Sequence, residues 1–195
     1  MKINPTRIRK KLLRNMNKVP PKVRLDAQRK FNRAKAEMIN EFESHAVTRE
    51  IEAGPEGKNS SGTLGGYGNL FSFIGFYQGA TPIETLRSLL NSYKIDITKP
   101  HIIKRNIGVD FRFRIEGPSI EQIEAATYLN WLGKSWGRGV ERGMSGIGNY
   151  LASMGATSSR SGGGIQATQK MRGGAYRPTK YVSSLMRTFF LRLGR

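Results

Sequence analysis

Four glutamates, Glu41, Glu43, Glu50 and Glu52, form the densest group of carboxylates in the chain and are the first place to look for acid–base chemistry. Glu50 and Glu52 are two residues apart, so a strand would place both on one face and mimic a catalytic pair. The plainer reading of that spacing is a solvated strand face, and it is the one adopted. His45 follows Glu41 at helical spacing, but two donors fall short of the three or four that a metal site needs, and His101 stands far from any such group. Cysteine is absent, which removes thiolate nucleophiles, thiolate metal ligands and disulfides together. No G-x-S-x-G elbow occurs. The glycine-rich stretch 62–68 lacks the G-x-x-x-x-G-K-[ST] spacing of a phosphate loop, and the apolar run that follows it reads as a strand, which offers no helix dipole. The second glycine cluster, 137–148, has no strand leading into it and fails the dinucleotide fingerprint. These residues predict no catalytic, metal or cofactor site, and therefore a chain that is not an enzyme.

The charge makes a stronger statement. Lys and Arg number 33 against 14 Asp and Glu, a formal net charge of +19. Residues 1–36 hold about 13 basic residues and a single acid, Asp26, and residues 160–195 hold about 8 and no acid. What remains between them is close to neutral. A density of this kind attracts polyanions without reading sequence. The candidate contacts are Arg7, Arg9, Lys10, Lys11, Arg14, Lys18, Lys22 and Arg24 at one end, and Arg172, Arg177 and Lys180 at the other. Aromatic residues are nearly missing from the N-terminal segment, which argues against base stacking. Its apolar face (Ile8, Leu12, Leu13) is too small for a membrane surface. Nucleic acid and an acidic protein face remain as partners. No apolar run reaches the length of a spanning helix and no secretion signal follows the basic start, so the expectation is a soluble protein made in the cytoplasm.

Periodicity supplies the elements that must carry these residues. A basic arm, 1–20, is helical over 5–18 and stops at Pro20-Pro21. A single domain, 21–195, follows. Its first helix, 21–44, keeps Val23, Ala27, Phe31, Ala34, Met38 and Phe42 on one face. Val47 and Ile51 suggest a strand near 47–52, and the run 69–77, apolar on both alternating faces, suggests a strand covered on both sides. Capping boxes, Thr81 with Glu84 and Ser119 with Gln122, open helices at 82–93 and 120–128. Residues 107–116 alternate cleanly, with Val109, Phe111, Phe113 and Ile115 opposite Asp110, Arg112, Arg114 and Glu116. The glycine-laden segment 131–154 reads as partly helical, 165–172 as a weak strand, and 179–193 as a closing helix. Composition makes 54–68 and 155–164 flexible loops. The fold class is α+β: a small antiparallel sheet packed by a long N-terminal helix, a central helix and a C-terminal helix.

The order of these pieces resembles the tail-completion and head–tail connector (neck) proteins of tailed bacteriophages. In that family a helix followed by a T/S-G-x-L turn and a small sheet is common; here the turn is Ser61-Gly62-Thr63-Leu64, and a C-terminal helix led by Arg177-Pro178-Thr179 closes the chain. The phrases NLFSFIGF, FRFRIEGPSIEQIEAAT and SRSGGGIQ are similar to stretches of virion proteins of contractile-tailed phages. The resemblance implies a structural protein of the virion, a ring of identical subunits at the neck or tail terminus. Its partners would be portal or adaptor and tail proteins, with packaged DNA in the channel. Ser61, Gly62, Thr63, Leu64 and Gly65 would be assembly-loop residues. The rival reading is a non-sequence-specific nucleic-acid binder of ribosomal or nucleoid type.

Overall fold

Pro21 occupies the first turn of the long helix α1, Pro21–Ser44, where its missing N–H costs nothing. Phe31, Ala34, Met38 and Phe42 step by three or four along it and are all buried. The computed structural model describes residues 19–64, 68–104, 109–130, 133–143, 150–152, 165–167 and 177–194. The expected arm helix at 5–18, the glycine loop at 155–164 and most of the segment between 144 and 176 lie outside the described residues. In order, the remaining elements are α2 (Ala46–Glu52), a 3-10 turn (Gly54–Glu56), α3 (Leu70–Ile74), α4 (Pro82–Asn91), β1 (Lys94–Lys104), β2 (Val109–Glu116), α5 (Ile120–Ala126), β3 (Tyr128–Leu129), β4 (Lys134–Ser135), α6 (Trp136–Glu141), β5 (Tyr150–Ala152), β6 (Ile165–Ala167) and α7 (Val182–Gly194).

The architecture is α+β, and the core is helical. Helix α7 lies antiparallel on α1: Phe189 meets Phe31 edge-on at 5.9 Å, and Tyr181, just before α7, stacks on Phe42 at 6.0 Å. Around this pair sit Val47 and Ile51 of α2, Leu70, Phe71, Phe73 and Ile74 of α3, Leu86 and Leu90 of α4, and Trp136 of α6. Charge works against α1, which has no acid in its first turn and no base in its last, the reverse of what a helix dipole favours. That mismatch costs about 0.3–1 kcal/mol per charge. Each buried aromatic or aliphatic side chain returns about 1.5–3 kcal/mol, so burial decides.

Two expected strands are helices. Val47 and Ile51 are four apart, which suits a helical face as well as a strand, and His45 caps the segment by accepting the Val47 N–H on Nδ1 at 3.2 Å. Residues 70–74 are buried on every side, so their apolar pattern carries no period. Local chemistry settles α3. Asn69 accepts the Ser72 N–H at 2.8 Å, and Gly75 closes the helix in the left-handed region, φ 82°. Within the segment 54–68, the carbonyls of Pro55 and Gly57 accept from Asn69 Nδ2 at 2.6 and 2.9 Å. Thr81 makes no side-chain cap, while the Ser119–Gln122 capping box forms in full.

The sheet is correspondingly smaller than expected. Strand β1, absent from the sequence reading, pairs antiparallel with β2, with Ile95 opposite Ile115 and Ile102 opposite Phe111. The register shifts between Asp96 and His101, where Pro100 interrupts the ladder. Two short ladders, β3–β4 and β5–β6, complete the strands.

The hairpin is anchored through Tyr93, which is buried and donates its hydroxyl to the Pro118 carbonyl at 2.7 Å. Gly117 lies so close that a Cβ there would sit 2.0 Å from the Tyr93 ring. Gly117→Ala is therefore expected to destabilise the fold by about 1–3 kcal/mol. Denaturant unfolding should show a lower midpoint at an unchanged m-value; an unaltered midpoint would mean the ring has room to move.

Candidate functional site

The most elaborate polar arrangement in the described structure is a seam joining α2, the Ser61–Leu64 turn and the lead into α7. Glu50 faces inward at the middle of α2 and is 1% exposed. Its carboxylate accepts the N–H of Ser61 and the N–H of Leu70, each at 2.8 Å. One acid therefore fixes the start of the turn and the start of α3. Within the turn, Ser61 Oγ donates to Thr63 Oγ1 at 2.9 Å. Thr63 is fully buried; its hydroxyl meets that of Thr179 at 3.0 Å, and its carbonyl accepts the Arg177 N–H at 3.0 Å. Leu64 enters the core. The Thr48 hydroxyl pairs with the Tyr181 hydroxyl at 2.8 Å, and burial raises the Tyr181 pKa well above the ordinary phenol value.

The expectation for Glu50 and Glu52 as neighbours on a solvated strand is thus corrected. On a helix they diverge: Glu50 turns into the seam and Glu52 outward to Arg87. That arginine also binds Glu43 through Nε and Nη2, at 2.6 and 2.7 Å, and pairs with Glu84. One guanidinium so ties α1, α2 and α4. Its hydrogen bond holds the Glu43 carboxyl below the usual range, and the Glu43 and Glu52 bonds raise the guanidinium's own pKa further. Arg192 of α7 likewise engages Glu37, at 3.1 Å, and Glu41 of α1. Lys35 Nζ donates to the carbonyls of Asn91 and Tyr93 at 2.5 and 3.1 Å, closing the C-terminal end of α4. Much of the core's charge is spent on such internal ties.

The four candidate cations among the described residues fall into two separate groups. Lys22 is exposed and Arg24 half-buried near the start of α1. Arg177 and Lys180 are exposed at the other end of that helix, where the Lys180 carbonyl accepts from His45 Nε2 at 3.0 Å. Roughly 30 Å of helix separates the two groups. Arg7, Arg9, Lys10, Lys11, Arg14, Lys18, Arg172 and Gly65 lie outside the described residues. Ser61 is half-buried and Gly62 exposed, while Thr63 and Leu64 are buried, so among the described residues of the expected assembly turn its outer corner is what faces solvent.

A concavity of about 520 Å³ between α5, β3–β4 and α6 is lined by Glu121, Glu124, Tyr128, Lys134, Arg138 and Arg142. Its charges are mixed, and Arg138 already pairs with Glu124 at 3.2 Å. Among the described residues no group of three or more His, Asp or Glu is placed to hold a metal ion, and no helix is long and apolar enough to cross a membrane. No family model, no curated protein and no solved structure matches the chain.

Two measurements probe the seam. Glu50→Ala strands two buried amides and is expected to cost about 2–4 kcal/mol, with Glu50→Gln losing less because one acceptor survives. Equal stability of the three proteins in denaturant would show that the carboxylate is dispensable. His45 gives a pH dependence. Burial lowers its pKa from 6.5, so the unfolded chain takes up a proton at pH values where the folded imidazole stays neutral. Its contribution is complete above about pH 6.5 and is lost as the pH falls below that value. His45→Asn keeps a capping oxygen without a titration, and its stability should fall less steeply between pH 6.5 and pH 5; parallel slopes would refute the assignment.

Proposed function

We propose that this chain is a structural protein of a tailed-phage virion that forms part of the neck or tail-completion ring between head and tail. The observation that carries the reading is the division of charge. The folded body locks Arg87 and Arg192 onto its own glutamates. At the start of α1, Lys22, Arg29 and Lys30 are exposed and enter no salt bridge among the described residues. They continue a cationic segment that begins at the first residues of the chain. Charge left outward on a rigid helix, against that helix's own dipole, serves a neighbour better than it serves the monomer. The Ser61–Leu64 turn, seated between α2 and the lead into α7, supports the likeness to connector proteins. Partners would be further copies, portal or adaptor and tail proteins, and packaged DNA.

The same exposed cations favour one alternative, a non-sequence-specific nucleic-acid binder. The purified full-length chain is expected to form rings in electron micrographs and multimers in light scattering. A strict monomer at high concentration would overturn the ring. The alternative instead requires duplex binding that weakens with salt, log K falling by about 0.9 per phosphate neutralised for each tenfold rise, and that is abolished by removing residues 1–20. Affinity unchanged by that truncation would dismiss it.

A further inference from the structure

The two edges of the β1–β2 hairpin are built differently. The outer edge of β1 is interrupted by the irregularity between Asp96 and His101, contains Pro100, which has no N–H to offer, and carries Lys94 and Lys99. Those are the devices by which a strand edge is kept from pairing. Strand β2 shares only the charged side chains, as Asp110, Arg112, Arg114 and Glu116. It runs eight residues, Val109–Glu116, without proline or bulge, and it pairs only with β1 among the described strands. Along it half-buried residues alternate with the exposed Arg112, Arg114 and Glu116. An edge that is left regular while its partner edge is protected is suited to receive one further strand.

We propose that this edge pairs with β2 of a second copy, antiparallel about a two-fold axis, to make a four-stranded sheet across two chains. A two-fold contact uses the same edge twice and closes on itself, so it needs one open edge per copy and no second one. The charges select the register. Keeping the apolar residues on one face requires odd positions to oppose odd positions. With 113 opposite 113, Asp110 would face Glu116 and Arg112 would face Arg114, each twice, giving only like-charge pairs. Sliding to 112 opposite 112 sets Asp110 against Arg114 twice and leaves one like pair, Arg112 on Arg112. It also keeps Phe111 opposite Phe113 and preserves overlap from 109 to 115. Registers centred on 111 or 114 also relieve the charges, but they shorten the overlap to five residues of the strand. The inference does not rest on the ring reading, because it uses the hairpin and not the cationic end of α1.

The absence of cysteine makes the test direct. Single variants Arg112→Cys, Phe113→Cys, Arg114→Cys and Lys99→Cys are prepared in the full chain and oxidised mildly, and disulfide-linked dimer is followed on non-reducing gels. Opposed residues in an antiparallel pair bring their Cα atoms to about 4.5–5.5 Å, within disulfide range. Arg112→Cys should therefore cross-link at least about tenfold faster than Lys99→Cys on the protected edge, and faster than either neighbouring position. Fastest linkage at 113 or 114 would overturn the register. Rates at 112, 113 and 114 no greater than at Lys99→Cys would overturn the pairing itself. If the chain still forms rings in that case, the ring reading stands and this inference alone fails; if it forms neither rings nor cross-links, both fail.

Discussion

The carboxylate of Glu50 is a charge taken out of water, and the arrangement around it follows from the need to satisfy it. Removing a carboxylate from solvent is tolerated only when hydrogen-bond donors replace the lost water. Here the donors are backbone amides from two places far along the chain, Ser61 and Leu70. Satisfying one acid therefore brings a glycine-bearing turn against α2 and starts α3 at a definite residue. The turn in turn holds the lead into α7 through Thr63, Thr179 and Arg177. Helix α7 then lies along α1, and the aromatic core closes between them. Apolar burial supplies most of the stabilisation, but it is non-directional. The seam supplies the directions.

The same division between internal and outward charge explains why a chain with net charge +19 folds at all. Self-repulsion among cations opposes a compact state. The body answers by pairing: Arg87 sits among three glutamates from α1, α2 and α4, and Arg192 between two from α1. What cannot be paired is segregated, with the excess cations at the start of α1 and the acids Glu37, Glu41 and Glu43 towards its end. That order is unfavourable for an isolated helix. It is sustained because the acids are engaged by α4 and α7 and the buried face outweighs the remainder. A helix so polarised has one end satisfied within the fold and one end that is not.

How legible these features are in sequence depends on how far away their causes lie. Helix α1 is readable because its apolar residues repeat for 24 residues, too long for another period to compete. Strand β2 is readable because eight residues alternate without a break. Helix α2 is short, and Val47 and Ile51 four apart satisfy a helix while leaving a strand open. Residues 70–74 are surrounded by core, so no polar face exists to mark the period; the discriminating residues were Asn69 and Gly75 at its ends. Strand β1 escapes notice because Pro100 and the register shift exchange its inward and outward faces midway. Glu50 is the instructive case. Its partners are amides, which every residue carries, 11 and 20 positions away, so nothing in the residue types announces them. The Ser-Gly-Thr-Leu phrase was the one available signal, and it identified the turn without revealing what the turn is bonded to.

The hairpin shows what the fold leaves undone. Of its apolar residues, Ile95 and Ile115 pack against the core, next to the Tyr93 anchor. Beyond them Ile102, Val109, Phe111 and Phe113 remain half-buried, sheltered in part by one another. A two-stranded ribbon of that length has little stability of its own in water. Its regularity must therefore come from the anchored end, from cross-strand pairs such as Ile102 with Phe111, or from something added to it. Protection of only one edge distinguishes these sources. Blunting costs ladder hydrogen bonds and regular twist, and a ribbon stabilised wholly from within would gain by blunting both edges, since either invites unwanted pairing. The proposed pairing with a second copy would use the regularity of β2, extending the ladder from that strand beside the outer apolar residues.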